Sequence, residues 1–210
     1  MKTGGNISHF NIEDAPNYSF TFSVLKNLKT QTHSFYEPVL MQTYTYDYEL
    51  DLDWEITNEQ KQILGYACQQ ALLDFGERQW IAYFSQEIPF SDGPYKFHAL
   101  PGLILEIYST DGDYAFEAKE FYSLAKEIET PKRVLDLKLD KLNEYKKRVA
   151  DKPSIASENL NQSSGITVVS SFNGRESTNA ELNERFDIQV KEWMKNHNNP
   201  IEKDMIWLEK

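Results

Sequence analysis

The residue types that most often perform catalysis are sparse in this chain. It has one cysteine, Cys68, which together with His98 would supply a nucleophile and a base. A nucleophilic thiol needs cationic neighbours that lower its pKa, whereas small and aromatic residues flank Cys68. We therefore expect a buried, inert thiol. The remaining histidines do not have metal-ligand spacing, so we expect neither a metal centre nor a cofactor; they are His9, His33 and His197.

Carboxylates offer a second kind of chemistry. Five of them alternate with apolar residues, at Asp47, Glu49, Asp51, Asp53 and Glu55. On an extended chain they share one face at a spacing of about 6.6 Å. A solvated face that discourages edge pairing explains them, and a cation-binding structural site or a surface for a basic partner is the alternative.

A hydrolase that uses carboxylates is a less favoured alternative function. Three further carboxylates could serve it: Asp92, Glu106 and Glu117. The sequence has no Gly-x-Ser-x-Gly, P-loop or Gly-x-Gly-x-x-Gly motif. Since a carboxylate pair also needs a cleft and a defined separation, we expect a protein that is not an enzyme.

Composition limits the partners of the chain. Its net charge of −11 argues against a nucleic-acid partner, because phosphate binding needs clustered Lys and Arg. No run reaches the roughly 18 to 20 apolar residues of a membrane span. The first residues, Met1 to Asn6, do not read as a signal peptide, since no apolar segment follows the charge.

The secondary-structure elements that would position such a site lie around the stretch from Trp80 to Phe121. Ser91-Asp92-Gly93-Pro94 is a turn cluster, and Leu100-Pro101-Gly102-Leu103 is another that precedes the most hydrophobic run of the chain. The pattern predicts a strand, a rigid loop and then a hairpin. An Asp-Gly pair, Asp111-Gly112, suits a type I′ turn that closes this hairpin.

The predicted hairpin has a defined register. Closing it at Asp111-Gly112 sets Ile107 opposite Phe116 and Glu106 opposite Glu117. Because like charges across a ladder repel, we expect Lys119 or solvent to relieve the two glutamates.

Residues 88–107, IPFSDGPYKFHALPGLILEI, carry a family resemblance. They closely resemble the signature of the GLPGLI family of exported proteins from Bacteroidetes-type bacteria, which has no settled activity. Trp54 to Ile56, Gly65 to Ala71 and Asn198 to Glu202 look like further family segments. Ala99 and Gln70 depart from the pattern, standing where Gly and Lys are usual. Ala99 is a poor residue for a backbone with φ above zero.

The resemblance implies a periplasmic or envelope location, and we expect the chain shown to lack an N-terminal export segment. It also implies that the segment from Ile63 to Phe75 forms a strand, whereas local propensity alone favours a helix. An antiparallel return to Ser85 would follow a turn at Asp74 to Glu77.

Other elements follow from periodicity. Tyr18 to Val24 alternates as a half-buried strand, and the alternation from Leu40 to Trp54 predicts a strand with a bend near Asp51 to Asp53. Two amphipathic helices follow the hairpin. The first carries Leu135, Leu139, Leu142, Tyr145 and Val149; the second opens on a capping box at residues 178–181 and carries Leu182, Phe186, Val190 and Trp193.

Together these elements predict an α+β fold with a curved antiparallel sheet and two covering helices. The arrangement is half-barrel-like and distantly resembles periplasmic lipoprotein carriers of the Lol type. We expect a mobile lead-in at residues 1–17 and one domain at 18–210, with a loop or insert at 154–175.

Non-catalytic binding is the favoured function, of either an apolar small molecule or lipid or a protein partner in the envelope. The candidate residues lie in the proline-rich loop and on the tyrosine stripe: Pro89, Phe90, Tyr95, Phe97, Leu100 and Pro101, with Tyr44, Tyr46 and Tyr48. Exposure separates the alternatives. Buried side chains would make the loop structural, a ring around a cavity would make it a ligand mouth, and joint projection into solvent would make it a docking surface.

Overall fold

The computed structural model of the chain describes residues 22–27, 30, 32–40, 42–123, 128–156, 171–172, 175–176, 179–197 and 199–203. The predicted lead-in at 1–17 and most of the predicted insert at 154–175 lie outside these residues.

Eleven strands and two helices are described, in the order β1 Ser23–Asn27, β2 Thr32–Val39, β3 Gln42–Tyr48, β4 Glu55–Ile63, β5 Tyr66–Phe75, β6 Arg78–Ser85, β7 Leu103–Ser109, β8 Ala115–Glu117, β9 Val134–Asp136, α1 Leu139–Asp151, β10 Ser171–Phe172, β11 Arg175–Glu176 and α2 Asn179–Asn196. Sheet 1 has the order β1-β2-β3-β9 and sheet 2 the order β4-β5-β6-β7-β8, while β10 and β11 form a separate ribbon. The predicted α+β class with curved sheets is confirmed, but the strands form two main sheets and a ribbon where one antiparallel sheet was predicted, and β9 pairs with β3 in parallel.

Sheet 2 confirms most of the predicted local structure. β5 is a strand despite its helix-prone sequence, because Ala71 and Leu73 alternate into the core against Ala82 and Trp80 of β6. The intervening turn has Gly76 and Glu77 in the left-handed region. The strand predicted from Leu40 to Trp54 is shorter than expected, because β3 ends at Tyr48 and residues 49–54, which include the predicted bend, are not in a strand.

The β7–β8 hairpin has the predicted register, with Glu106 opposite Glu117 and Ile107 opposite Phe116. Its turn is not type I′, which needs a positive φ at both central residues. Gly112 has a φ of +80°, but Asp111 does not have a positive φ. Asp111 is instead bound by the Arg78 guanidinium, so tertiary contacts decide the turn.

The two helices pack on sheet 1. Leu142 and Val149 of α1 and Val190 and Met194 of α2 share one core cluster with the tyrosines of β3. Lys146 of α1 also forms a 2.6 Å ion pair with Glu37 of β2. The two covering helices are therefore confirmed. None of the described helices is long and apolar enough to cross a membrane.

Two residues of the predicted helical stripes are placed differently. Leu135 lies in β9, which pairs in parallel with β3, and is 52% exposed. The helix begins only at Leu139, since backbone pairing with Tyr44 takes Leu135 into the sheet. In α2, the side chain that faces the core is Met194, while Trp193 is 37% exposed. The predicted capping box includes Thr178, which lies outside the described residues.

Candidate functional site

The loop between β6 and β7, residues 86–102, folds back onto the start of β7. The Leu103 amide donates to Ile88 O at 3.1 Å, and the Ile104 amide donates to Asp92 O at 2.9 Å. Gly102 allows this approach, because an added Cβ would lie 2.1 Å from Ser85 O. The corner at Pro101-Gly102 is therefore fixed by close packing against the end of β6.

Ala99 adopts a φ of +70° in this loop. An alanine is expected to disfavour the left-handed region, yet Ala99 adopts a left-handed backbone conformation in this loop. A left-handed L-residue costs about 1–2 kcal/mol. The flanking contacts offset this strain, since Leu100 is 1% exposed and the Trp54 indole donates to His98 O at 2.8 Å.

Lys26 of β1 fastens the loop to sheet 1. Its ammonium donates to Asp92 Oδ1 at 2.8 Å, to Gly93 O at 2.5 Å and to Phe97 O at 3.0 Å. Burial lowers the pKa of Lys26, and the Asp92 carboxylate opposes that shift. Asp92 thus forms an ion pair that joins the loop to β1.

Lys96 lies in a cage of aromatic rings at the seam between the sheets. Its Nζ atom is 4.7 Å from the Phe35 ring centroid, 5.3 Å from Tyr48 and 5.4 Å from Tyr95. Glu202 Oε1 lies 2.7 Å from the same ammonium, and the Tyr95 hydroxyl donates to that carboxylate oxygen. Burial, together with the charge of Glu202, raises the pKa of Tyr95 well above its usual range.

The segment 199–203 straps the loop to the turns of sheet 2. The Arg78 side chain, 0% exposed, donates to Ile201 O at 3.0 Å and to Pro200 O at 3.1 Å. The Lys203 amide donates to Gly76 O at 2.8 Å. Because Glu202 of the same segment binds Lys96, the strap connects the β5–β6 turn to the base of the loop.

The predicted site residues of the loop divide into two groups. Phe97 is 0% exposed and packs 4.7 Å from the Trp80 ring, and Leu100 is also in the core. Tyr95 is half-buried in the cage. Pro89 and Pro101 are exposed, and Phe90 is 49% exposed. The loop therefore combines a buried part, which we call its base, with three exposed apolar residues, Pro89, Phe90 and Pro101, which we call its apex.

The tyrosine stripe of β3 lies in the core. Tyr44 and Tyr48 are each 8% exposed and Tyr46 is 2% exposed. Burial is the largest cause that raises the pKa of all three phenols. Within the part of the chain that the structure describes, the hydroxyls of Tyr46 and Tyr48 and Nδ1 of His33 have no hydrogen-bond partner.

Two surface grooves lie away from the predicted residues. One of about 520 Å³ is lined mainly by α2, including Asn183, Asp187 and Ile188. The other, of about 360 Å³, surrounds the β5–β6 turn at Gly76 and Arg78. Neither includes a residue of the loop apex or of the tyrosine stripe.

The structure does not assemble the catalytic groups. Cys68 is buried with Ile63, Ile88 and Leu105, and burial raises the pKa of its thiol. The His98 ring lies instead against His33. The predicted burial of Cys68 is confirmed.

The carboxylates are likewise paired or dispersed. Lys119 lies 2.5 Å from Glu117, as predicted, and Lys61 of β4 lies 2.5 Å from Glu106, which sequence reasoning missed. The alternating carboxylates are exposed: Asp47, Glu49, Asp51, Asp53 and Glu55. Among the residues described, no group of three or more His, Cys, Asp or Glu side chains is placed to hold a metal ion.

Among known proteins, the chain is similar to a family model over part of its length. A family model described as a protein of unknown function (Porph_ging) matches residues 75–106, the stretch that contains β6 and the whole loop. No curated protein matches the chain.

Among solved structures, PNGF-II in the C2 space group is 16% identical, with a TM-score of 0.47 over 57% of this chain and 23% of that one. PNGF-II in the P21 space group is 14% identical, with a TM-score of 0.45 over 60% of this chain and 24% of that one. The chain thus spans about a quarter of the length of these proteins. The match to the family model covers residues 75–106 of the chain.

Proposed function

We propose that this chain is a non-catalytic binding protein of the bacterial envelope, and that it docks a protein partner through the loop apex. The observation that carries the proposal is the Phe90 side chain, 49% exposed next to the exposed Pro89, on a loop with a fixed base. The envelope location follows from the resemblance of residues 88–107 to exported proteins.

The rigid base of the loop makes the apex suitable for docking a partner. Lys26 makes three hydrogen bonds to the loop, and Lys96 ties it to the strap through Glu202. Since the loop is already ordered, little conformational entropy is lost when it binds. An aromatic side chain supported in this way is typical of the few residues that dominate a protein interface.

The exposed phenylalanine favours a protein partner over an apolar small ligand. The stripe tyrosines are each at most 8% exposed, and the two grooves do not include them. With a net charge of −11, the chain favours a partner that has an apolar pocket with a basic rim.

A photoreactive phenylalanine analogue at position 90 tests the proposal in the native cell. The matched control is the same analogue at Leu64, which is 46% exposed in the β4–β5 turn. We expect one discrete protein adduct from position 90 and none of that mass from position 64. Equal adducts at both positions, or none at position 90, would contradict the docking function.

A further inference from the structure

His33 of β2 is a buried imidazole whose Nδ1 has no hydrogen-bond partner among the described residues. It is 6% exposed, and its ring stacks on Tyr48 of β3 with centroids 5.5 Å apart. The His98 ring of the loop also lies against it, with centroids 4.7 Å apart and a tilt of 58°. Two imidazoles therefore face each other where the loop meets sheet 1.

His98 is held in place by the loop itself. Its Nδ1 lies 2.7 Å from Lys96 O, and because a carbonyl only accepts, Nδ1 carries the proton. Its own carbonyl accepts from the Trp54 indole. The ring cannot move away from His33 unless the base of the loop moves with it.

We propose that His33 and His98 form an acid-sensitive latch, which holds the base of the loop against sheet 1 at neutral pH and releases it in mild acid. A proton on His33 would place a cation 4.7 Å from the His98 ring and in the field of the Lys26 ammonium, where no described residue accepts a hydrogen bond from Nδ1 of His33. The latch is independent of the docking proposal.

The surrounding charges decide the direction of the effect. Burial is the main cause that lowers the pKa of His33, and His98 and Lys26 lower it further, while Asp92 opposes them. Asp92 is already bound by Lys26. Among the described residues, the charged and titratable groups around the seam include Lys26 on β1, Tyr46 and Tyr48 on β3, Asp92, Tyr95, Lys96 and His98 in the loop, and Glu202 in the strap.

The pH window follows from the sign of this shift. A histidine with a lowered folded pKa binds fewer protons in the folded state than in the unfolded state. Its neutral form therefore stabilises the closed loop above the ordinary histidine pKa of about 6.5, and this stabilisation is lost as the pH falls below it.

Hydrogen exchange of the full chain tests the latch without a partner. The measurement compares amides of residues 92–98 with those of α1 at pH 7.5 and 5.5, after correction for the intrinsic exchange rate. In the wild-type chain we expect acid to lower protection of residues 92–98 several-fold more than protection of α1. In His33→Phe, which keeps a ring against Tyr48, we expect this difference to disappear.

Two further variants keep the test decisive. His197→Gln is the matched control, since His197 is exposed at the end of α2, and it should behave as the wild type. His98→Gln removes the second imidazole and should also reduce the loss of protection in acid. This variant tests the latch if His33→Phe does not fold. A wild-type loop whose protection does not change with pH, or an acid effect that persists in both latch variants, would overturn the proposal.

Discussion

The base and the apex of the loop have opposite environments, although only a few residues separate them. At the base, Phe97 is 0% exposed and packs among aromatic rings, whereas Phe90 at the apex is 49% exposed. Both are phenylalanines near a proline-containing turn. The comparison teaches that a rigid loop can use one aromatic residue to anchor itself and leave another free for a partner.

Truncation at the base should produce the largest loss of stability. Phe97→Ala removes a ring that contacts Trp80, Trp54 and Phe75, so we expect a loss of about 3–5 kcal/mol in the free energy of unfolding. Phe90→Ala should change it by less than about 0.5 kcal/mol. Urea denaturation of both variants measures the difference, and equal midpoints would refute the division into base and apex.

Removal of the strap's carboxylate should have the next largest effect. Glu202→Ala leaves Lys96 buried without its charge partner, which costs about 3 kcal/mol or more. The exposed pair Lys119 and Glu117 provides the control, because solvent screens this ion pair and Glu117→Ala should hardly change the stability. If thermal unfolding showed the same small shift for both variants, the strap would not secure the loop.

A smaller change should stabilise the base. Ala99→Gly relieves a residue at φ +70°, and we expect a gain of about 0.5–1 kcal/mol after the entropic cost of glycine. Ala115 is a suitable control, since it is exposed in β8 and does not have a positive φ, and Ala115→Gly should be destabilising. A loss of stability in Ala99→Gly would show that the left-handed backbone carries no strain.

Local patterns in the sequence predicted much of the fold. The resemblance indicated a strand in the segment from Ile63 to Phe75, where β5 lies, and the position of the turn alone set Glu106 opposite Glu117. Periodicity failed where pairing between distant segments decides the structure. Leu135 has helical spacing, but the register with β3 places it in a strand.

The site was less accessible to sequence reasoning. Lys96 and Glu202 are 106 positions apart, and local patterning does not indicate that they meet. The one available signal is that both lie in stretches that resemble family segments. The sequence predicted which loop residues were apolar, but whether each pointed into the core or into solvent depends on how the loop packs on Ser85 and Lys26.

The most direct test of the account is the affinity of Phe90→Ala for the protein captured from position 90. We expect the dissociation constant of Phe90→Ala to be at least tenfold larger than that of the wild type, because an aromatic anchor contributes about 2 kcal/mol to binding. The melting temperature should not change. Leu64→Ala should bind as tightly as the wild type. Equal affinities for the two variants would contradict the claim that the loop apex is the docking element.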